Sequence, residues 1–256
     1  MPAAAPVRVY AAGSLREAFT ALVRAQGEAA ALTFGAAGLL RERIEQGEEA
    51  EVFASADLRQ PQRLADQGNW TEPTVFARNS LCALVAPAVR THAGDLLDTL
   101  LDPAVRLGTS TPGSDPSGDY AWAVFARAGQ ARAGAREALE AKALRLTGAA
   151  DSPRAPPGRS TYAWLMEQRR ADVFLTYRTN AVAAQRECPS LQVVALPPAL
   201  CVDVRYGVSR RVGAPPGALA WVEALQSGPV QRILAHHGFE APCASRAAPA
   251  RPAGRR

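Results

Sequence analysis

Four segments of the sequence place small or hydroxyl-bearing residues where a predicted strand passes directly into a predicted helix. They are AAGSL (residues 11–15), FGAAGLL (34–40), STPGSDPSGDYAW (110–122) and PPGRSTYAW (156–164). The first N–H groups of a helix have no intrahelical acceptor, and together with the helix dipole they attract anions. In open α/β sheets such junctions meet at the carboxyl ends of the strands. The four segments together therefore predict one anion-binding site.

Each junction also has a purely structural explanation. Ser14 is followed three residues later by Glu17, a pattern typical of a capping box, in which the hydroxyl accepts a first-turn N–H. In residues 34–40 no side chain can cap the helix, so its N–H groups need water or a ligand. Arg159 stands at a helix start, where the dipole disfavours positive charge, and either solvent or a bound anion would compensate. Capping, solvation and anion binding all stay open at these positions.

Strand-like and helical segments alternate along almost the whole chain, an order that favours parallel sheets with helices on both faces. Residues 147–160, rich in Pro, Gly and Ser, predict a long loop of the kind that is often functional. Strands are predicted over residues 7–11, 31–34, 51–55, 75–76, 81–86, 105–108, 172–177, 191–196 and 202–208. Helices are predicted over residues 15–25, 39–46, 58–67, 96–101, 117–128, 133–141, 160–169, shortly after 180, 217–226 and 229–237.

The composition excludes several classes of protein. The chain has 256 residues, 48% of them hydrophobic and 21% charged, which is typical of a globular protein and not of a disordered one. The net charge of +5 comes almost entirely from arginine, Lys142 being the only lysine. No basic stripe is interleaved with aromatic residues, so we expect no nucleic-acid partner. No apolar run is long enough to span a membrane.

The sequence contains no recognisable catalytic motif. GxSxG, Walker A, HExxH and GxGxxG are all absent, and His92 and the pair 236–237 are expected on the surface. Asp115 and Asp119 could do acid–base chemistry, whereas Asp57 is expected to cap the helix that follows it. We therefore predict a binding protein without a cofactor, not an enzyme.

The cysteines do not have the spacing of metal ligands. Cys82 lies in the apolar run LCALVA and is expected in the core. Cys188, Cys201 and Cys243 fall near predicted loops, where a disulfide could form in an oxidising compartment. Their pairing cannot be assigned from the sequence, and no metal site is predicted.

Taken in order, a series of segments resembles the periplasmic molybdate-binding proteins of ABC importers, within the type II periplasmic solute-binding proteins. The segments are AAGSL, TFGAAGLLRERIEQG, EVFASAD, RNSLCALVAP, DPSGDYAW, ADVFLTY and GPVQRILAHHGF. The resemblance implies a two-lobed α/β fold, each lobe a mixed, mainly parallel sheet flanked by helices, with the ligand cleft between the lobes. The first lobe would comprise residues 7–84 and 205–240, the second residues 85–204, and residues 241–256 a flexible tail.

The resemblance also implies the ligand-binding residues, which are Ser14, Ala37, Ser117, Arg159 and Tyr177. Ala37 stands in place of a serine and keeps only its backbone N–H, whereas Ser117 adds a hydroxyl to a backbone donor. Arg159 would introduce a cation, whose charge-assisted bonds could suit a different oxyanion or a carboxylate. The resemblance thus supports an oxyanion more firmly than it supports molybdate.

The implied function is that of a monomeric receptor which closes on molybdate or tungstate by a hinge motion and delivers it to a membrane permease. The alternatives are the same fold binding sulfate or an organic carboxylate, a cytoplasmic anion sensor, and an enzyme built on the same scaffold. The resemblance implies a periplasmic location. The first residues, MPAAAPVRVY, show no basic segment followed by an apolar one, so we expect no signal peptide in the chain as given, and a cytoplasmic location stays open.

Overall fold

The computed structural model describes residues 5–26 and 30–242, which form ten strands and ten α-helices. The strands are β1 (Val7–Ala12), β2 (Ala30–Gly35), β3 (Val52–Ser55), β4 (Thr74–Asn79), β5 (Leu81–Val85), β6 (Leu107–Ser110), β7 (Leu144–Thr147), β8 (Val173–Tyr177), β9 (Gln192–Ala195) and β10 (Val204–Arg210). The helices are α1 (Arg16–Gln26), α2 (Ala37–Glu45), α3 (Arg59–Ala65), α4 (Leu96–Leu101), α5 (Pro116–Ala131), α6 (Ala135–Lys142), α7 (Thr161–Glu167), α8 (Arg178–Glu187), α9 (Pro216–Ala224) and α10 (Gly228–His236).

The strands form two five-stranded sheets, one in each lobe. The first sheet has the order β2-β1-β3-β10-β4, and the second has the order β7-β6-β8-β5-β9. In each sheet the first three strands are parallel, and the fourth runs antiparallel to both of its neighbours. The predicted two-lobed fold with mixed sheets is therefore confirmed.

The chain passes between the sheets twice. It leaves the first sheet after β4 and enters the second at β5, with only Ser80 between them, and it returns between β9 and β10. Leu81–Val85, which the expected boundary after residue 84 assigned largely to the first lobe, lies in the second sheet. The apolar run gives no sign of this crossing, because its residues are buried in either lobe.

Long apolar side chains on both faces of the sheets explain why these segments are strands. All five residues of β5 and all five of β8 are buried, as expected where helices cover both faces of a sheet. In the first lobe Phe19 of α1 packs edge-on against Trp221 of α9, with ring centroids 4.9 Å apart. Phe19 also lies 6.0 Å from Phe76 of β4, so this cluster fixes both helices to the sheet.

Residues 148–160 carry no strand or helix, which confirms the predicted loop. Cys82 is buried as predicted, and Cys82, Cys188 and Cys201 are free thiols. Cys243 and most of the predicted tail lie outside the described residues. Within residues 5–26 and 30–242, no helix combines the length and apolarity needed to cross a membrane. The same residues hold no group of three or more side chains suited to a metal ion.

Candidate anion-binding site

A cleft of about 770 Å³ lies between the lobes, at the carboxyl ends of the parallel strands. Its first-lobe wall follows β1 and β2, and its second-lobe wall follows β7 and β8. Of the five predicted ligand residues, Ser14, Arg159 and Tyr177 line this cleft. Ala37 and Ser117 are buried behind lining residues, Ala37 beside Ala36 and Ser117 near Asp115. The four junctions predicted from the sequence therefore meet in one place.

Ser14 does not cap α1, so the predicted capping box is wrong. A 3₁₀ turn over Gly13–Leu15 precedes the helix, and no side chain caps it. The Ser14 hydroxyl instead forms a hydrogen bond of 2.8 Å with the hydroxyl of Tyr206, from β10. The carboxylate of Glu17 lies 3.6 Å from the Nδ1 atom of His237. The partners of Ser14 and Glu17 thus lie far away in the sequence, and a local pattern cannot predict such contacts.

The start of α2 has no side-chain cap, as predicted. Ala36 stands at the N-cap position and supplies no side-chain hydrogen bond. The N–H of Gly38 donates to the carbonyl of Ser114 in the second lobe, over 2.9 Å. A Cβ atom on Gly38 would lie only 2.6 Å from that oxygen and 2.7 Å from the carbonyl oxygen of Gly113. The two lobes are thus in backbone contact at this point, and the N–H of Ala37 stands in the first turn beside that contact.

At the start of α5 a carboxylate of the chain itself occupies the expected anion position. Asp115 is the N-cap, and its side chain accepts the N–H of Ser117 over 3.0 Å. The backbone donor that the resemblance assigned to this position is therefore already used. The hydroxyl of Ser117 is buried, with 1% of the residue exposed, and it has no hydrogen-bond partner among the described residues. Ser117 does not line the cleft itself, but its N–H is bonded to Asp115, which does.

Burial raises the pKa of Asp115 from its ordinary value of 3.8 to about 6. The native protein then holds a proton that the unfolded chain releases at lower pH, so the free energy of unfolding falls as the pH rises from about 4 to about 6. This shift corresponds to a loss of about 3 kcal/mol at neutral pH. We expect Asp115→Asn, which keeps a good helix cap, to remove this part of the pH dependence.

Urea unfolding of the wild type and of Asp115→Asn at about pH 4 and about pH 7 would measure the effect. The variant should gain stability relative to the wild type at the higher pH and not at the lower one. An equal difference between the two proteins at both pH values would contradict the prediction.

Tyr177, the last residue of β8, supplies a second buried hydroxyl without a partner. The residue is 2% exposed, and no atom of the described residues forms a hydrogen bond with its hydroxyl. Its ring lies against Tyr206, with centroids 5.6 Å apart, and against Tyr120 at 6.3 Å. Burial raises the pKa of Tyr177 well above its usual value. The hydroxyl therefore stays protonated and available as a donor.

Arg159 lines the cleft, but its hydrogen-bonding groups are engaged within the protein. The guanidinium forms ion pairs with Glu167 and Glu187, and the backbone N–H donates to the carbonyl of Pro156. Glu187 also accepts the N–H of Ser160, over 2.7 Å. The anion expected at this helix start is thus a glutamate of the chain itself.

Sequence reasoning missed several residues of the cleft wall. Arg16 lines the cleft, with its guanidinium 4.6 Å from the centroid of the Phe34 ring. It has no carboxylate partner in the described part of the chain, and burial lowers its pKa. Thr179 at the start of α8 also lines the cleft, as does His237, which was expected on the surface. Burial lowers the pKa of His237, so its imidazole favours the neutral form.

The match to a family model covers nearly all of the described chain. Residues 7–240 match the model of the bacterial extracellular solute-binding proteins. This chain belongs to that family. The solute-binding protein is also 41% identical to the uncharacterized protein PM1146 of Pasteurella multocida over 179 residues, which are 68% of this chain and 74% of that protein. The family is a solute-binding component of transport.

Two solved structures show the same fold at low sequence identity. The sulfate-binding protein SubI of Mycobacterium tuberculosis has a TM-score of 0.74 and 17% identity, with 93% of this chain and 87% of that chain covered. The periplasmic molybdate-binding protein of Azotobacter vinelandii has a TM-score of 0.71 and 17% identity, with 93% and 100% covered. The solute-binding protein therefore shares its two-lobed architecture with receptors for more than one oxyanion.

Proposed function

We propose that this solute-binding protein captures a tetrahedral oxyanion, molybdate or tungstate, between its lobes and presents it to the permease of an ABC importer. The permease would bind the closed form, in which both lobes contact the anion. The chain would act as a monomer in the periplasm.

The observation that carries the proposal is the pair of buried hydroxyls of Tyr177, which lines the cleft, and of Ser117, whose N–H is bonded to the cleft-lining Asp115. Each is almost fully buried and lacks a partner among the described residues. Leaving a buried polar group unpaired costs about 1–3 kcal/mol, so such groups are rare unless something absent from the chain pairs with them. A fully deprotonated oxyanion has only hydrogen-bond acceptors. It would therefore pair with hydroxyl groups that donate their protons. The hydroxyls of Ser14, in the first lobe, and Thr179, in the second, also line the cleft.

The arrangement of charge also suits an anion. Arg16 brings to the wall a positive charge that has no carboxylate partner in the described part of the chain. Its guanidinium is stacked on the Phe34 ring and so held in place. Two contacts hold the lobes together. Gly38 of α2 bonds to Ser114, and Arg59, at the start of α3, forms an ion pair with Asp119 of α5. These contacts support binding by closure of two lobes over a small ligand.

The size of the cleft favours a second candidate, an oxyanion that carries an organic substituent. A free tetrahedral oxyanion fills on the order of 100 Å³, a few water volumes, whereas the cleft measures about 770 Å³. Part of the cleft lies along residues 149–158, which contribute proline, alanine and glycine together with Ser152 and Arg154 to its lining. A sulfate ester, a phosphate ester or an organic carboxylate would use this space.

A thermal-shift screen followed by calorimetry tests both candidates. The purified protein would be exposed to molybdate, tungstate, sulfate, phosphate, glycerol 3-phosphate and citrate, each as the sodium salt. We expect molybdate and tungstate to raise the melting temperature most, since a ligand at about 100 times its Kd stabilises by about 2.7 kcal/mol. Sodium chloride at matched ionic strength is the control. No stabilisation by molybdate or tungstate, with stabilisation by glycerol 3-phosphate or citrate, would replace the first candidate by the second.

A further inference from the structure

We propose that Asn79 is a positioning residue that sets the direction of the hydroxyl protons facing the anion. Asn79 is the last residue of β4, where the chain crosses between the lobes, and only 6% of it is exposed. The inference rests on the proposed function, because it concerns how the site presents its donors. Asn79 acts through Tyr206, Ser14 and Thr179.

The orientation of the Asn79 side-chain amide is fixed by a neighbour that can only donate. Its Oδ1 atom accepts the backbone N–H of Ser80 over 2.8 Å. Exchanging the amide oxygen and nitrogen would set an N–H group against this N–H, so only one orientation is satisfied. The Nδ2 atom then faces two hydroxyls, that of Thr179 at 3.0 Å and that of Tyr206 at 3.3 Å. Asn79 therefore donates to both.

Tyr206 passes this orientation on to Ser14. Because its hydroxyl oxygen accepts from Asn79, its proton is left to form the 2.8 Å bond with the Ser14 oxygen. A phenol is also a stronger acid than an aliphatic alcohol, and this makes Tyr206 the better donor of the two. The Ser14 hydroxyl accepts this bond and keeps its own proton for the cleft, which Ser14 lines.

Thr179 receives the second hydrogen of the same amide. Its hydroxyl accepts from Asn79, and the structure gives it no other hydrogen bond among the described residues. Thr179 lines the cleft at the start of α8, in the second lobe. One buried amide thus turns a hydroxyl of each lobe into a donor. Lone pairs on these oxygens would repel an anion, so their direction decides whether the wall attracts or repels it.

Asn79→Asp separates this role from a merely structural one. The aspartate has nearly the same shape and still accepts the N–H of Ser80, but it accepts from Tyr206 and Thr179 instead of donating to them. Thr179 then turns its proton from the cleft to residue 79. Tyr206 does the same, so Ser14 has to donate to Tyr206 instead of to the cleft. We expect the affinity for molybdate and for sulfate, measured by calorimetry, to fall at least roughly tenfold. The melting temperature without anion should also fall at neutral pH, because the variant buries a carboxylate.

Two further variants make the test specific. Asn69→Asp introduces the same charge at an exposed position of the first lobe, and it should bind as the wild type does. Tyr206→Phe removes the proton donated to Ser14 and leaves Asn79 in place. If Asn79 acts through Tyr206, then Asn79→Asp should cost less affinity in the Tyr206→Phe background than in the wild type.

The outcomes distinguish this inference from the proposed function. If the wild type binds neither molybdate nor sulfate, the proposed function fails and this inference fails with it. If the wild type binds one of them and Asn79→Asp binds it equally well, only the positioning role is overturned. A loss of affinity on Asn79→Asp that is the same in the wild type and in the Tyr206→Phe background would not depend on Tyr206, and it would overturn the positioning role too. Should Asn79→Asp not fold, Tyr206→Phe decides, since unchanged affinity there overturns the relay and weakened affinity supports it.

Discussion

Gly38→Ala is expected to weaken anion binding about 100-fold, at the upper end of the cost of overpacking, while the anion-free protein becomes slightly more stable. The added Cβ atom would lie 2.6 Å from the carbonyl oxygen of Ser114 and 2.7 Å from that of Gly113. Both obstacles are backbone atoms of the opposite lobe, so no side chain can move aside. The lobes would have to stay apart, and the closed state would lose its contacts.

The same substitution favours α2 itself, because alanine is a better helix former than glycine by about 1 kcal/mol. The affinity and the melting temperature without anion should therefore change in opposite directions. Gly228→Ala, at the first position of α10, is the matched control, since its Cβ would meet nothing nearer than 3.5 Å. Calorimetry with molybdate and differential scanning calorimetry without it would measure the two quantities. Wild-type affinity in Gly38→Ala would show that the contact between Gly38 and Ser114 does not belong to the liganded state.

The double variant Ser117→Ala, Tyr177→Phe is expected to lose about 3–6 kcal/mol of binding free energy, at 1.5–3 kcal/mol for each hydrogen bond to a charged group. Both hydroxyls are buried and unpartnered among the described residues. Removing them from the anion-free protein leaves no partner stranded, so its stability should hold or rise. A loss of affinity with a gain of stability is the result expected of ligand donors.

Ser209→Ala provides a matched control for this double variant. Its hydroxyl is likewise buried without a partner in the described structure, but Ser209 pairs with Phe53 inside the first sheet. Tyr177, by contrast, lines the cleft, and Ser117 donates its N–H to Asp115, which lines it. It should change stability in the same direction and leave the affinity for molybdate unaltered. If the single variants of Ser117 and Tyr177 behave as Ser209→Ala does, these hydroxyls do not contact the anion.

Most of the elements could be predicted from the sequence, because apolar periodicity dominates them. The helix at residues 96–101 was predicted with its observed bounds. The strand Leu144–Thr147 was missed, since it is a short edge strand with two exposed residues, and its last residue was assigned to the loop. A strand buried on both faces appears in the sequence as a continuous apolar run. A partly exposed edge strand lacks such a run and is therefore harder to predict.

Only those features of the site that depend on neighbouring residues could be predicted from the sequence. The four helix starts and the absence of a cap on α2 follow from the residues themselves. Partners far apart in the sequence do not. Ser14 bonds to Tyr206, 192 positions away, and the guanidinium of Arg159 is paired with Glu187. These pairings exist because the fold brings distant strands and helices together, so a local pattern suggested a capping box and a free cation instead.

The antiparallel strand in the first sheet has a consequence for the order in which the protein forms. All strands of the second sheet lie between residues 81 and 195, so a ribosome delivers that sheet as one uninterrupted stretch. The first sheet still lacks β10, which lies between β3 and β4. Domains generally fold as units during synthesis. The first lobe is therefore begun before the second lobe but completed after it. Tyr206 belongs to β10, so the nascent chain cannot complete the first lobe or its part of the cleft until β10 has been synthesised.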